Sequence, residues 1–133
     1  LVVISALCAP LVLVFLVHFT GYSILLEEAV KLLAVIFTLA KVPARQRLAA
    51  AITFSALFGL SETMLYLNQL IQHGNMMSLL LRCVATIPMH VVTMLVMLFA
   101  VRKRHIAWFL FGFAAAVAIH LAFNHGLAPL LSP

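Results

Sequence analysis

Three ionisable residues stand close together inside an apolar stretch of the sequence: Glu27, Glu28 and Lys31. An ionisable side chain inside a membrane costs from about 2.5 to more than 10 kcal/mol, so such residues usually serve a function. A glutamate can exchange protons or bind a metal ion. Lys31 follows Glu27 by four residues and Glu28 by three, so it could pair with either on one helix face. The alternative is a purely structural ion pair, although buried pairs seldom add stability.

A third glutamate, Glu62, ends the segment Phe58-Gly59-Leu60-Ser61-Glu62 and has no basic residue within four positions. It must therefore be protonated, paired with a residue of another helix, or bound to a metal ion. The small residues Gly59 and Ser61 allow a neighbouring helix to approach closely. The alternative is a neutral glutamate that donates a hydrogen bond to a backbone carbonyl.

Two histidines follow in later apolar segments, and histidine is both an acid–base group and a common metal ligand. His90 comes two residues after Pro88, which frees a backbone carbonyl in the preceding turn. His120 and Asn124 are four residues apart, so we expect them to share a helix face. Alone, His90 could be only a hydrogen-bonding residue between helices, and Arg82 could extend its side chain to the outer membrane surface.

The composition is that of an integral membrane protein. Of 133 residues, 66% are hydrophobic and 8% are charged, whereas about 25% are charged in a soluble domain. The net charge of +5 would suggest nucleic acid as a partner in a soluble protein, but here we attribute it to membrane topology and expect no nucleic acid. We interpret Cys8 and Cys83 as small apolar residues. The chain begins with Leu1 and no Met, so we expect a fragment or a processed chain.

A transmembrane helix needs about 20 apolar residues, and we predict one all-α domain, residues 1–133, that is a polytopic transmembrane helix bundle. Basic residues mark cytoplasmic loops. The basic clusters at 41–47 and 102–105 lie on loops two spans apart, which places the turns at 20–23 and 72–75 outside. The five predicted spans are residues 1–19, 23–40, 48–71, 77–101 and 106–126.

Most of these polar residues are predicted to lie at a similar depth, counted inward from the outer end of each span. His90 is the exception at roughly 20 Å, which a later start of its helix or a kink at Pro88 would remove. One shared polar site is a simpler account than four helices with unrelated polar residues at one depth. The residues predicted to lie roughly 3–15 Å below the outer face, at about 1.5 Å per residue, are Glu27, Lys31, Glu62, Arg82, His120 and Asn124.

The order of these motifs resembles that of the PrsW family of bacterial intramembrane proteases. That family shares a superfamily with the CAAX prenyl endopeptidases and the scaffold subunit of gamma-secretase. Thr63 stands where PrsW proteins often have Asn, and Glu62 stands where the prenyl endopeptidases have His, which favours PrsW. The matching motifs are EExxK (Glu27, Glu28, Lys31), FxxxE (Phe58, Glu62), Arg82 followed by Pro-x-His at His90, and HxxxN (His120, Asn124).

The resemblance implies proteolysis of a membrane-embedded substrate, such as an anti-sigma factor, by a multi-pass protein of the bacterial inner (plasma) membrane, with further helices beside these five. Peptide hydrolysis there needs a wet pocket, a base for the water and donors for the oxyanion. We assign the base to Glu27, with Glu62 sharing the water. His120 and Asn124 would donate to the oxyanion. The predicted catalytic residues are Glu27, Glu28, Glu62, His90, His120 and Asn124, supported by Lys31, Phe58 and Arg82.

Two alternatives remain open from the sequence. Glu27, Glu62, His90 and His120 could instead be ligands of a catalytic zinc ion with one open position for water. The protein could also be a non-catalytic scaffold or a transporter that relays protons. Two separate glutamates favour hydrolysis over a scaffold, and an inner membrane half almost without polar residues argues against a relay.

Overall fold

The fold is a bundle of apolar helices, and the computed structural model describes residues 2–20, 23–65 and 76–127. No strand occurs within these ranges, which confirms the prediction of an all-α fold. A 3-10 turn, Ala44–Gln46, precedes the third helix, and a π-helical turn, Phe123–Leu127, follows the fifth. The helices are α1 (Val2–Thr20), α2 (Ser23–Lys41), α3 (Arg47–Leu65), α4 (Met76–Val101) and α5 (Ile106–Ala122).

Within the described residues, three helical stretches are long and apolar enough to cross a membrane: Ala44–Leu65, Val84–Val101 and Ile106–Gly126. A shorter apolar helix covers Val3–Leu16. The charged residues of α2 lower its hydropathy and keep it out of this set. The third predicted span continued to residue 71, and residues 66–75 lie outside the described part of the chain.

Residues in and beside both basic loops define the ends of the neighbouring helices. Pro43 cannot continue α2, and Arg47 at the start of α3 donates to the end of α2, from Nε to Val42 O at 2.9 Å and from Nη2 to Leu39 O at 2.8 Å. A cation that satisfies the last carbonyls of a helix stabilises that end. At the second loop, His105 Nδ1 accepts from the backbone N–H of Ala107 at 3.2 Å and caps α5.

The helices pack through small residues and a buried apolar core, as expected where lipid removes the hydrophobic drive between helices. Helix α3 packs against α1, α2 and α4, while α5 packs against α4 and α2. A Cβ placed on Gly59 of α3 would lie 3.3 Å from Ile87 Cα of α4, so any larger residue here would require the two helices to shift apart. The buried apolar side chains are Ala6, Leu13, Val35, Ala51, Phe54, Phe58, Met94, Met97, Leu98 and Ala116.

Candidate functional site

The centre of the polar cluster is an ion pair on α2 between Glu28 and Lys31, whose side chains have no exposed surface. Their three-residue spacing places both on the α2 face that points into the bundle. Lys31 Nζ also donates to Thr93 Oγ1 of α4 at 2.7 Å and lies 3.1 Å from His90 Nδ1. An ammonium group has three protons, and these three neighbours supply one acceptor for each.

Glu62 of α3 pairs across helices with His90 of α4, and its Oε2 lies 2.5 Å from His90 Nε2. Of the three states that the sequence allowed for Glu62, the structure therefore shows the interhelical pair. Phe58 packs against the His90 ring, with ring centroids 5.3 Å apart. A Cβ on Gly59 would lie 2.8 Å from His90 Cδ2, so the glycine leaves room for the ring.

His120, near the end of α5, contacts both glutamates of α2. Its Nδ1 lies 2.6 Å from Glu28 Oε1, and its Nε2 lies 3.5 Å from Glu27 Oε2. The rings of His120 and His90 stand edge to face with centroids 5.3 Å apart. The contacts of this site therefore join α2, α3, α4 and α5.

The hydrogen-bond partners indicate that the two histidines carry their ring proton on different nitrogens, Nε2 in His90 and Nδ1 in His120. His90 Nδ1 faces the Lys31 ammonium and must accept, so its proton lies on Nε2 and is donated to Glu62. His120 Nδ1 faces the Glu28 carboxylate and must donate, so its Nε2 carries a lone pair directed toward Glu27. One ring therefore presents a donor to the site and the other presents an acceptor.

Among the described protein groups, two buried carboxylate oxygens of the cluster have no hydrogen-bond partner: Glu27 Oε2 and Glu28 Oε2. Leaving a buried polar atom unsatisfied costs about 1–3 kcal/mol, and more when the group is charged. Such atoms call for a ligand, a substrate group, a water or an ion. Glu28 uses its other oxygen, Oε1, for both Lys31 and His120, whereas no hydrogen bond to the Glu27 carboxylate is among the described contacts.

The donor set fits a metal ion. Glu27, His90 and His120 each offer one ligand atom, and these atoms all lie within 4.8 Å of one another. Two histidines and one glutamate with an open position are a common ligand set for catalytic zinc. The Glu28 carboxylate behind His120 Nδ1 is the kind of partner that orients a metal-binding histidine. A metal ion bound at His90 Nε2 would displace the proton that this nitrogen shares with Glu62.

Two predicted site residues are not among these contacts. Asn124 lies on the π-helical turn with its side chain exposed, whereas His120 is buried. A π turn bonds i to i+5 and so shifts the register in which residues four apart share a face. Arg82 lies on α4, and its side chain is outside the described part of the structure.

The sequence analysis missed Thr93, which is buried and accepts a hydrogen bond from Lys31. It stands three residues after His90, one turn along the same helix face. That spacing was the available signal, but a threonine in an apolar helix usually bonds only to its own backbone. A separate apolar cavity of about 320 Å³ between α1, α2 and α3 is lined by residues such as Ala9, Ala34 and Phe54 and contains none of the cluster.

Comparison with known protein families gives a match over almost the whole chain. A protein-family model described as PrsW family intramembrane metalloprotease matches residues 4–132, which is almost the whole chain. No curated protein and no solved structure matches.

Proposed function

This chain belongs to the PrsW family of intramembrane metalloproteases, and we propose that it hydrolyses a peptide bond of a membrane-embedded protein substrate, such as an anti-sigma factor. The observation that carries the proposal is the buried Oε2 of Glu27, which has no hydrogen-bond partner among the described residues and lies 3.5 Å from His120 Nε2. Glu27 Oε2 and His120 Nε2 are therefore two neighbouring hydrogen-bond acceptors, in a cluster whose other polar side chains mostly pair with one another across the helices. A water molecule between these two acceptors would donate one proton to each.

In this proposal Glu27 is the base that takes the proton of the attacking water. Glu28 is unsuited to that role because its carboxylate already pairs with Lys31 and accepts from His120. It instead neutralises Lys31 and fixes the ring of His120. The adjacent glutamates thus have different roles because their side chains leave α2 about 100° apart.

The two histidines have opposite roles as hydrogen-bond donor and acceptor. His90 carries the N–H at Nε2, so it is the ring that can donate to a developing oxyanion, with Glu62 as its partner in the resting site. His120, whose proton is held by Glu28, accepts at Nε2. This assignment differs from the sequence analysis, which gave the role of oxyanion donor to His120 and Asn124.

A zinc ion, where bound, would supply a polarised water at neutral pH. The residues that would hold it are Glu27, His90 and His120. With His90 Nε2 bound to the metal, Glu62 would lose its hydrogen bond to that nitrogen, and its carboxylate could then hold a proton. Whether the enzyme uses a metal can be tested by elemental analysis of the purified chain together with chelator treatment of the cleavage reaction. Zinc chemistry predicts bound metal that is lost in His120→Ala but kept in His125→Ala, which changes an exposed histidine.

We further propose a multi-pass arrangement in the plasma membrane, of bacterial inner-membrane type. The two basic loops, at 41–47 and 102–105, join consecutive helices at the end of the bundle away from the polar cluster. The positive-inside rule then places the loops in the cytoplasm and the cluster in the outer half of the membrane. A substrate would meet Glu27 from within the lipid bilayer.

The proposal is tested by reconstituting the full chain into liposomes with a tagged single-span membrane protein and following cleavage on a gel. The wild type should release a shortened product. His120→Ala should not, because it removes the ring that hydrogen-bonds Glu28 and lies beside Glu27, whereas His125→Ala should cleave normally. Failure of the wild type to cut any member of a panel of single-span bacterial proteins would contradict the proposed activity.

A further inference from the structure

We propose that Thr93, which lies outside every motif of the sequence, is a positioning residue for the site. It holds Lys31 against His90 Nδ1, and this contact fixes the orientation of the His90 ring so that Nε2 is presented to the site. The positioning stands on geometry alone, while its consequence for cleavage rests on the proposed function. Thr93 would touch neither substrate nor metal.

The hydrogen bonds of Thr93 define a single orientation. Its hydroxyl donates to His90 O on its own helix at 3.1 Å, and the same oxygen accepts from Lys31 Nζ at 2.7 Å. Thr93 and Lys31 have no exposed surface, so water does not compete for these bonds. The hydroxyl proton of Thr93 is therefore used for the bond to the backbone, and a lone pair of the hydroxyl oxygen is used for the bond to Lys31.

Lys31 needs this acceptor because a lysine chain has no rigid geometry of its own. Its ammonium group ends a flexible chain of four carbons, and its three protons go to Glu28, Thr93 and His90. Glu28 holds the ammonium from the α2 side, and Thr93 holds it from α4. Without the Thr93 oxygen, one proton of the buried ammonium loses its acceptor, and the ammonium is free to turn away from His90.

The position of Lys31 determines what His90 can do. With the ammonium at 3.1 Å from Nδ1, the opposite nitrogen Nε2 points to Glu62 at 2.5 Å. A ring turned the other way would place Nδ1 at the reacting side and lose both contacts. Phe58 and Gly59 shape the space for the ring, but neither distinguishes the two nitrogens. Only the polar partners do so, and Thr93 holds one of them.

The test compares Thr93→Val, which keeps the shape and removes the hydroxyl, with Thr93→Ser, which keeps the hydroxyl. Thr63→Val is the matched control. Thr63 is also buried and also donates to its own helix, to Gly59 O at 2.8 Å, but no side-chain donor to it is among the described contacts. The first readout is the ¹⁵N spectrum of the full chain labelled at histidine, with the His90 signals assigned by their loss in His90→Gln. The second is the rate of substrate cleavage, separated into kcat and KM.

We expect Thr93→Val to move the Nδ1 signal of His90 and to lower kcat by roughly 10- to 100-fold, a usual loss when the partner behind a functional histidine is removed. KM should stay near its wild-type value. Thr93→Ser should restore both, and Thr63→Val should change neither. If Thr93→Val fails to insert or fold, Thr93→Ala replaces it, because it removes the same hydroxyl without adding volume. The same change in the His90 Nδ1 signal and in kcat is expected of Thr93→Ala.

An unchanged Nδ1 signal in the hydroxyl-free variants would overturn the proposal, as would a serine variant as impaired as the valine variant. The two readouts also separate this inference from the proposed function. If the wild type cleaves no substrate but the Nδ1 signal responds to the hydroxyl as expected, the protease assignment fails and the positioning role stands.

Discussion

His120 Nδ1 lies 2.6 Å from Glu28 Oε1, a contact between residues 92 positions apart in the chain. It joins the end of α5 to the beginning of α2, so the site forms only when these two helices are packed together. Glu28 also pairs with Lys31, which extends the connection to Thr93 and His90 of α4. Five of the polar side chains are thus one connected network, and disturbance of one member is expected to reach the others.

Removing Glu28 should cost more stability than removing Glu27. Glu28→Gln leaves the buried Lys31 charge without its counter-ion, and breaking a buried pair on one side typically costs about 3–5 kcal/mol. Glu27→Gln breaks no hydrogen bond among the described residues. Thermal unfolding of both variants in the same detergent checks this. Equal melting temperatures would contradict the assignment of Glu28 to the ion pair.

The double variant Glu28→Gln/Lys31→Met sharpens that comparison. Because it removes both charges, it should unfold at a higher temperature than Glu28→Gln alone, as found for buried pairs replaced together. It should nevertheless be inactive, since His90 loses its Nδ1 partner. A double variant less stable than Glu28→Gln would show that Lys31 stabilises the bundle by other contacts.

Gly59→Ala should impair both folding and activity. The added Cβ would lie 2.8 Å from His90 Cδ2 and 3.3 Å from the α4 backbone at Ile87, and such overpacking typically costs about 1–3 kcal/mol. Gly126→Ala is the control, because no atom lies within 4 Å of the Cβ it would add. The measurements are the melting temperature and the cleavage rate. An active, equally stable Gly59→Ala variant would mean that α3 and α4 do not approach as closely as described.

The topology has its own test. Single cysteines at Gln46 and Lys103, with the native cysteines replaced, should react in intact cells only with reagents that cross the membrane, because both lie in basic loops. A cysteine at Asn75, which lies outside the described residues, should react with impermeant reagents. Labelling of all three positions from the same side would refute the alternating spans.

The helices and their shared polar depth could be predicted from the sequence because a helix advances by a fixed rise per residue. Glu62 and His120 were expected near Glu27 on that basis, and the structure brings them into one cluster. His90, the one residue that this count placed deeper than the others, nevertheless contacts Glu62 in the same cluster. Helix α4 has 26 residues, which makes it about 39 Å long and longer than the hydrocarbon core of about 30 Å. A count from its end therefore overestimates depth if the helix tilts or protrudes.

Other features of the site depend on how the helices pack, which residue spacing in the sequence does not determine. Lys31 could pair with either glutamate by spacing, and the rotation of α2 against α4 and α5 selects Glu28. The three-residue spacing of Thr93 from His90 was the signal for Thr93, but that spacing does not show whether its hydroxyl bonds to another helix. The i+4 rule also placed Asn124 beside His120, but it assumed a regular α-helix, and the helix changes to a π turn from Phe123.

The central claim, that Glu27 is the reactive carboxylate of an intramembrane protease, is tested most directly by the cleavage rate of Glu27→Gln. The variant keeps the shape of the side chain and breaks no described hydrogen bond, so it should insert and fold like the wild type. We expect its rate on a single-span membrane substrate in liposomes to fall at least 10²- to 10⁴-fold, the usual contribution of a general base. Cleavage at the wild-type rate by a folded Glu27→Gln protein would contradict the account.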